Sequence, residues 1–166
     1  MPTDLHQMIA ALANSDLAAR AKAAEELSRL GADAAPAAAA LVRAAGDGVE
    51  EVREHAVAAL EELGPPPPSQ LGELTALLGH DSADVAYWAA TLLGRLGADA
   101  APATDTLARL VAKPAGAADR ERAAWALGQI GPGAAAAIPV LKTAASNPDS
   151  RLARLAAEAI QKIGGQ

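Results

Sequence analysis

Five related strings in this chain end on glycine: AKAAEELSRLG, EHAVAALEELG, YWAATLLGRLG, ERAAWALGQIG and RLAAEAIQKIG, closing at Gly31, Gly64, Gly97, Gly131 and Gly164. The glycines are 33, 33, 34 and 33 residues apart. Self-similarity at such a period marks stacked supersecondary units, none of which buries its apolar face alone. Counted back from each glycine, the first position is Leu30, Leu63, Leu96, Ile130 or Ile163, and the fourth is Leu27, Leu60, Leu93, Leu127 or Ile160. The eighth is always alanine: Ala23, Ala56, Ala89, Ala123 and Ala156. The fifth is apolar in four copies and Glu26 in the first. Offsets of one, four, five and eight lie on one stripe of a 3.6-residue helix. The glycine then ends the helix at C′, where φ is positive.

Each glycine is followed by a segment predicted to be a second, shorter helix, such as ADAAPAAAALVRAA after Gly31 and PGAAAAIPVLKTAA after Gly131. Pro36 and Pro102 suit a first helical turn, where no amide partner is needed. Pro139 lies deeper and predicts a kink or a late start. Asp16, Asp47, Asp81 and Asn147 precede the long helices and are expected to cap them. The run PPPP at 65–68 reads as a stiff inter-repeat connector. A first helix over about residues 4–13 offers Leu5, Met8, Ile9 and Leu12 on one face. The expectation is one all-α domain over 1–166, an α-solenoid of about five helix pairs with repeats near 4–31, 32–64, 65–97, 98–131 and 132–164. Composition agrees. Alanine dominates, Cys and Phe are absent, and Tyr87, Trp88 and Trp125 are the whole aromatic set. Helix formers therefore far outweigh the residues strands prefer.

EVREHAVAALEELG, DVAYWAATLLGRLG and ADRERAAWALGQIGPGAAAAIPVL resemble the HEAT-repeat family, in particular the short bacterial HEAT-like repeats also found in phycobilin lyases. The resemblance implies a right-handed superhelix in which the glycine-terminated helices line a concave, partner-gripping surface. The family often has Arg where this chain has Arg20, Arg53 and Arg120, but Ala86 and Ala153 depart from it, weakening an Asp–Arg ladder between repeats. The lengthened loop VAKPAGAAD is a second departure.

With the Ala/Leu stripe turned inward, offsets two, six, nine and thirteen point away from the core. They carry Lys22, Arg29, His55, Trp88, Arg95, Arg122, Trp125 and Gln129, among others. Exposed Trp and Arg are the usual anchors of an interface. The centre of contact is therefore expected at Trp88, Trp125, Arg95 and Arg122, with His55, Lys22, Arg29 and Gln129 at the rim. The competing reading makes each Trp a packing ledge between neighbouring helices. Gly94 and Gly128 lie three residues before their terminal glycines, and mid-helix Gly costs roughly 1 kcal/mol against Ala. Close approach of a neighbouring helix is the expected compensation, with backbone approach by a ligand as the alternative.

The chain has 166 residues and a net charge of −6, against the clustered cations a nucleic-acid protein needs. The outward offsets mix seven potentially basic groups with five acids, which suits a protein or peptide partner of mixed charge. His6, His55 and His80 fall in separate repeats, so no metal or cofactor is expected. The paired His-Glu dipeptides of HEAT-repeat di-iron hydroxylases are missing, Glu54-His55 being a single reversed copy. Asp84 near Trp88 lacks the basic setting of HEAT-like DNA glycosylases, and GPGAAAA at 131–137 has no phosphate-loop lysine. No bilayer-spanning run or signal peptide is read, so the expected setting is cytoplasmic, without a membrane. The function expected is a non-enzymatic scaffold or adaptor, monomeric or weakly self-associating. A bilin-lyase-like accessory role and a structural spacer are the alternatives.

Overall fold

The computed structural model describes residues 4–114 and 118–165, and all regular structure among them is helical. The chain divides into two compact units, Met1–Gln70 and Leu71–Gln166. Residues 115–117 of the lengthened loop lie outside the described residues.

The first unit holds α1 (Leu5–Ala11), α2 (Leu17–Ser28), α3 (Ala38–Ala44) and α4 (Glu50–Glu62). The glycine-terminated helices α2 and α4 pack on each other, with α1 against α2 and α3 against α4. Leu27, Leu60 and Ala56 are fully buried between them, as the stripe requires. Arg20 ties the two repeats together. Its Nε and Nη2 donate to the Asp47 carboxylate at 2.8 and 3.1 Å, while Nη1 donates to the backbone oxygen of Asn14 at 2.9 Å. Arg53 donates to the carbonyl of Asp47 at 2.7 Å. The Arg20 guanidinium holds the Asp47 carboxyl below the ordinary carboxylate range, against the opposing effect of burial.

The second unit holds α5 (Leu71–Leu77), α6 (Ala83–Leu96), α7 (Thr104–Val111), α8 (Ala118–Ile130), α9 (Ile138–Ala145) and α10 (Ser150–Ile163). It has two layers. The long helices α6, α8 and α10 pack side by side, α8 in the middle, and α5, α7 and α9 back them in turn. Leu93, Leu127, Ala89, Ala123 and Ala156 are fully buried between the layers. Small residues at the eighth offset let the axes approach, and leucine fills the remaining space. Arg120 again serves a loop, donating from Nε to the carbonyl of Val111 at 2.9 Å at the end of α7.

Several sequence expectations are corrected. Gly31, Gly64, Gly97 and Gly131 have positive φ, but Gly164 is helical at −73° and the left-handed residue of the last repeat is Gly165. The short helices do not begin at the glycines. The identical strings GADAAPA at 31–37 and 97–103, and GPGAAAA at 131–137, form tight 3-10 segments before each outer helix starts. Pro139 marks a late start, lying in the first turn of α9. Asp16 caps α2 as expected, accepting from the Ala18 amide at 3.1 Å. Asp47 and Asn147 sit two residues before the cap positions Val49 and Asp149, each accepting from the amide two residues on, and Asp149 is the residue that caps α10. At α6 the cap position is Ser82, whose amide donates to His80 Nδ1 at 3.0 Å, rather than Asp81. Among the described residues one helical run, Ala118–Ala145, reaches 28 residues and holds an 18-residue window of mean hydropathy 1.3, so by length and composition it is apolar enough to cross a bilayer. That run is α8 and α9 joined through the positive-φ Gly131, and half of its apolar window is buried inside the protein, as for core helices.

Candidate functional site

Gly94 is what places Trp125. A methyl group built on Gly94 would meet the indole of Trp125 at 2.2 Å, so the ring of α8 lies directly on the bare backbone of α6. Gly128 has the corresponding role in the next repeat, where a methyl would come within 3.1 Å of the Ala159 backbone of α10. The two mid-helix glycines thus permit close approach of neighbouring elements, a ring in one case and a helix in the other.

Trp125 is half-buried, not lodged in the core. The guanidinium carbon of Arg122 lies 5.0 Å from its ring centroid and 4.7 Å from that of Tyr87 on α6, a cation between two π faces. Arg122 Nη2 also donates to the Tyr87 hydroxyl. With the Gln129 carboxamide turned so that its oxygen faces inward, it accepts from Trp125 Nε1 at 3.1 Å and from Lys162 Nζ at 2.9 Å. Trp88 meets the edge of Tyr87, centroids 5.5 Å apart and planes at 89°. Residues from all three long helices therefore fix one aromatic and cationic cluster.

A pocket of about 90 Å³ opens beside it, lined by Tyr87, Ala118, Glu121, Arg122, Trp125, Arg151, Arg154 and Leu155. Glu121 is the buried acid of the pocket and pairs with Arg151, Nε to Oε2 at 2.9 Å, while the Arg151 side chain stays 68% exposed. Arg154 pairs with Glu158 at 2.8 Å along α10. A larger groove, about 570 Å³, lies in the opposite layer between α5 and α7, lined by Thr75, Ala76, Leu78, Thr106, Arg109 and Leu110 among others. Size alone would favour that groove. The smaller pocket is the better candidate because rings, guanidinium groups and a buried carboxylate converge there.

Of the residues expected at a contact surface, Trp125, Arg122 and Gln129 come together, and Trp88 joins them through Tyr87. Arg95 is half-buried in the last turn of α6. Lys22, Arg29 and His55 belong to the first unit. Lys22 and Arg29 make surface pairs with Glu26 and Glu25 at 3.9 and 2.5 Å, and His55 is half-buried on α4. Thr91, at an offset expected to face outward, is buried, its hydroxyl donating to the Tyr87 carbonyl at 2.8 Å. Tyr87, Glu121 and Arg154 escaped the sequence reading. All three sit ten residues before their terminal glycine, three after the thirteenth offset and four before the sixth, hence on the same helical stripe. That spacing was the signal that would have found them. Among the described residues no three His, Asp or Glu side chains converge at metal-binding distance.

The sequence pattern of HEAT repeats matches residues 38–127, and that of the PBS lyase HEAT-like repeat matches 119–147. None of the curated proteins matches the chain. Among solved structures, the complex of CpcE and CpcF of phycocyanin lyase from Nostoc sp. PCC7120 is similar at 29% identity and TM-score 0.67, over 100% of this chain and 67% of that one. An engineered protein aligns at 21% identity and TM-score 0.65, covering 97% of this chain and 79% of its own. A designed armadillo repeat protein in complex with the peptide (KR)4 aligns at 17% identity and TM-score 0.66, over 96% and 81%. These last two share the fold alone, that of helical-repeat solenoids. With more than half of its length matched by the repeat pattern, the chain belongs to the HEAT-repeat family.

Proposed function

We propose that the chain is a non-catalytic scaffold that grips a protein or peptide on the face made by α6, α8 and α10, with Trp125, Arg122 and Tyr87 at the centre. The observation that carries this reading is the Arg122 guanidinium held between two half-exposed rings beside an open pocket. A rigid aromatic surface next to a fixed cation supplies contact area and direction at small entropic cost.

The test is capture of a partner by the intact chain and by two variants, Trp88→Ala/Trp125→Ala and Arg122→Ala. Both are expected to keep their helical circular dichroism and to lose partner affinity, on the order of 2 kcal/mol or more. The double variant also removes the ring seated on Gly94, so its melting point falls. Arg122→Ala keeps that ring and is the cleaner arm. Equal capture by all three proteins would remove the reading.

A second reading, an accessory role related to phycocyanin lyase, is favoured by the full-length similarity to the Nostoc complex and by the PBS lyase HEAT-like match. Co-expression with a bilin separates the two. Visible absorbance that purifies with the protein supports the second, and a colourless protein removes it.

A further inference from the structure

We infer that the pocket between α8 and α10 receives a carboxylate side chain of an acidic peptide segment, an inference that rests on the scaffold reading above and names the chemistry of its partner. Three guanidinium groups, from Arg122, Arg151 and Arg154, line the pocket against the single carboxylate of Glu121. The lining is therefore net positive in a protein whose net charge is −6. The acidity is not spread evenly. The first unit carries five Lys and Arg against eleven Asp and Glu, and the second carries nine against nine. The pocket thus sits in a unit whose own formal charges balance, so that unit adds no net excess of acid to repel an anion.

Each guanidinium is held by a neighbour yet keeps capacity for a ligand. Arg151 is oriented through Nε by Glu121 but is 68% exposed, so much of its donor fork faces solvent. Arg154 is 61% exposed, and its pair with Glu158 joins neighbouring turns of one helix, a partner that yields to a better-placed anion. Arg122 is fixed by stacking and by the Tyr87 hydroxyl. Fixed guanidinium forks suit the planar carboxylate geometry. Tyr87, Trp125 and Leu155 supply apolar walls for the methylenes that carry it. At about 90 Å³ the space is well beyond one water and holds a carboxylate head group.

The experiment uses the whole chain and three fluorescein-labelled ten-residue peptides, alternating Glu-Ala, Gln-Ala and Lys-Ala, followed by fluorescence anisotropy at low salt. The Glu peptide is expected to bind about tenfold or more tighter than the neutral Gln peptide, as charge-assisted hydrogen bonds do over neutral ones. Arg154→Glu is expected to abolish that preference while circular dichroism stays unchanged, since Arg154 lies on the surface of α10. Equal affinity for the Glu and Gln peptides, tighter binding of the Lys peptide, or a preference that survives Arg154→Glu would each overturn the inference. So would a change of molecular mass in light scattering on Arg154→Glu, which would make a second copy the occupant. A partner captured through Arg122 but indifferent to Arg154→Glu would overturn the acidic preference and leave the scaffold reading standing. Loss of both effects would remove the two together.

Discussion

Two glycines and one threonine show how single positions decide the packing of this protein. Gly94→Ala would gain helix propensity of roughly 1 kcal/mol, but its methyl falls within 2.2 Å of Trp125. The indole must leave its seat, losing the Arg122 stack and the Gln129 bond. A net loss of about 1–2 kcal/mol in denaturant melts is expected, with red-shifted tryptophan emission. Gly72→Ala is the control. It lies in a helix with open space around it, and is expected to stabilise by about 0.5 kcal/mol. The Thr104 hydroxyl is buried with no partner among the described residues, where the other outer helices of the same register begin with Ala38 and Ile138. Thr104→Val is therefore expected to raise stability by about 1 kcal/mol; a lower melting midpoint would show that the hydroxyl is satisfied. At this scale the sequence was legible where spacing alone decides. Glycines at a fixed offset called for close approach, and close approach is found. Whether Trp125 is a ledge or an anchor was not legible, because both depend on which ring lies on which backbone. The geometry gives it both attributes, seated on Gly94 and still half-exposed.

At the scale of helices, the alanine–leucine stripe fixed which face is buried, and Leu27, Leu60, Leu93 and Leu127 are all fully enclosed. Leu127→Ala is expected to cost about 2–5 kcal/mol, and an unchanged chemical melt would mean the register of α8 is wrong. The stripe could not locate the outer-helix starts, since GADAAPA looks helical by composition yet closes into 3-10 turns around a proline. Nor did it reveal the tenth offset, which lies between two offsets read as exposed and carries Tyr87, Glu121 and Arg154. The arginine ladder is a further element-level device. Arg20 depresses the Asp47 carboxyl below its unfolded value of about 3.9. That stability is fully present above the unfolded pKa and is lost as pH falls through the folded one. Asp47→Asn should therefore lower the melting temperature at neutral pH and flatten the acid limb of the stability curve. An acid limb of unchanged slope would show that the pair contributes nothing.

For the molecule as a whole, the net charge of −6 averages two unlike units. All of it belongs to the first, while the second, which carries the candidate site, is balanced. Total charge could therefore indicate a mixed surface but not where an anion would be welcome. The repeat period made the fold class readable from the first glycine onward. The site was readable only as a set of outward offsets, because its chemistry comes from rings and guanidinium groups on three different helices. The most direct measurement is photo-crosslinking in cells, with p-benzoylphenylalanine placed at Ala118, exposed at the pocket mouth, or at Thr106, beside the groove of the opposite layer. Partner adducts from position 118 and none from position 106 are the predicted outcome. Adducts from position 106 alone would contradict the assignment of the gripping face to α6, α8 and α10.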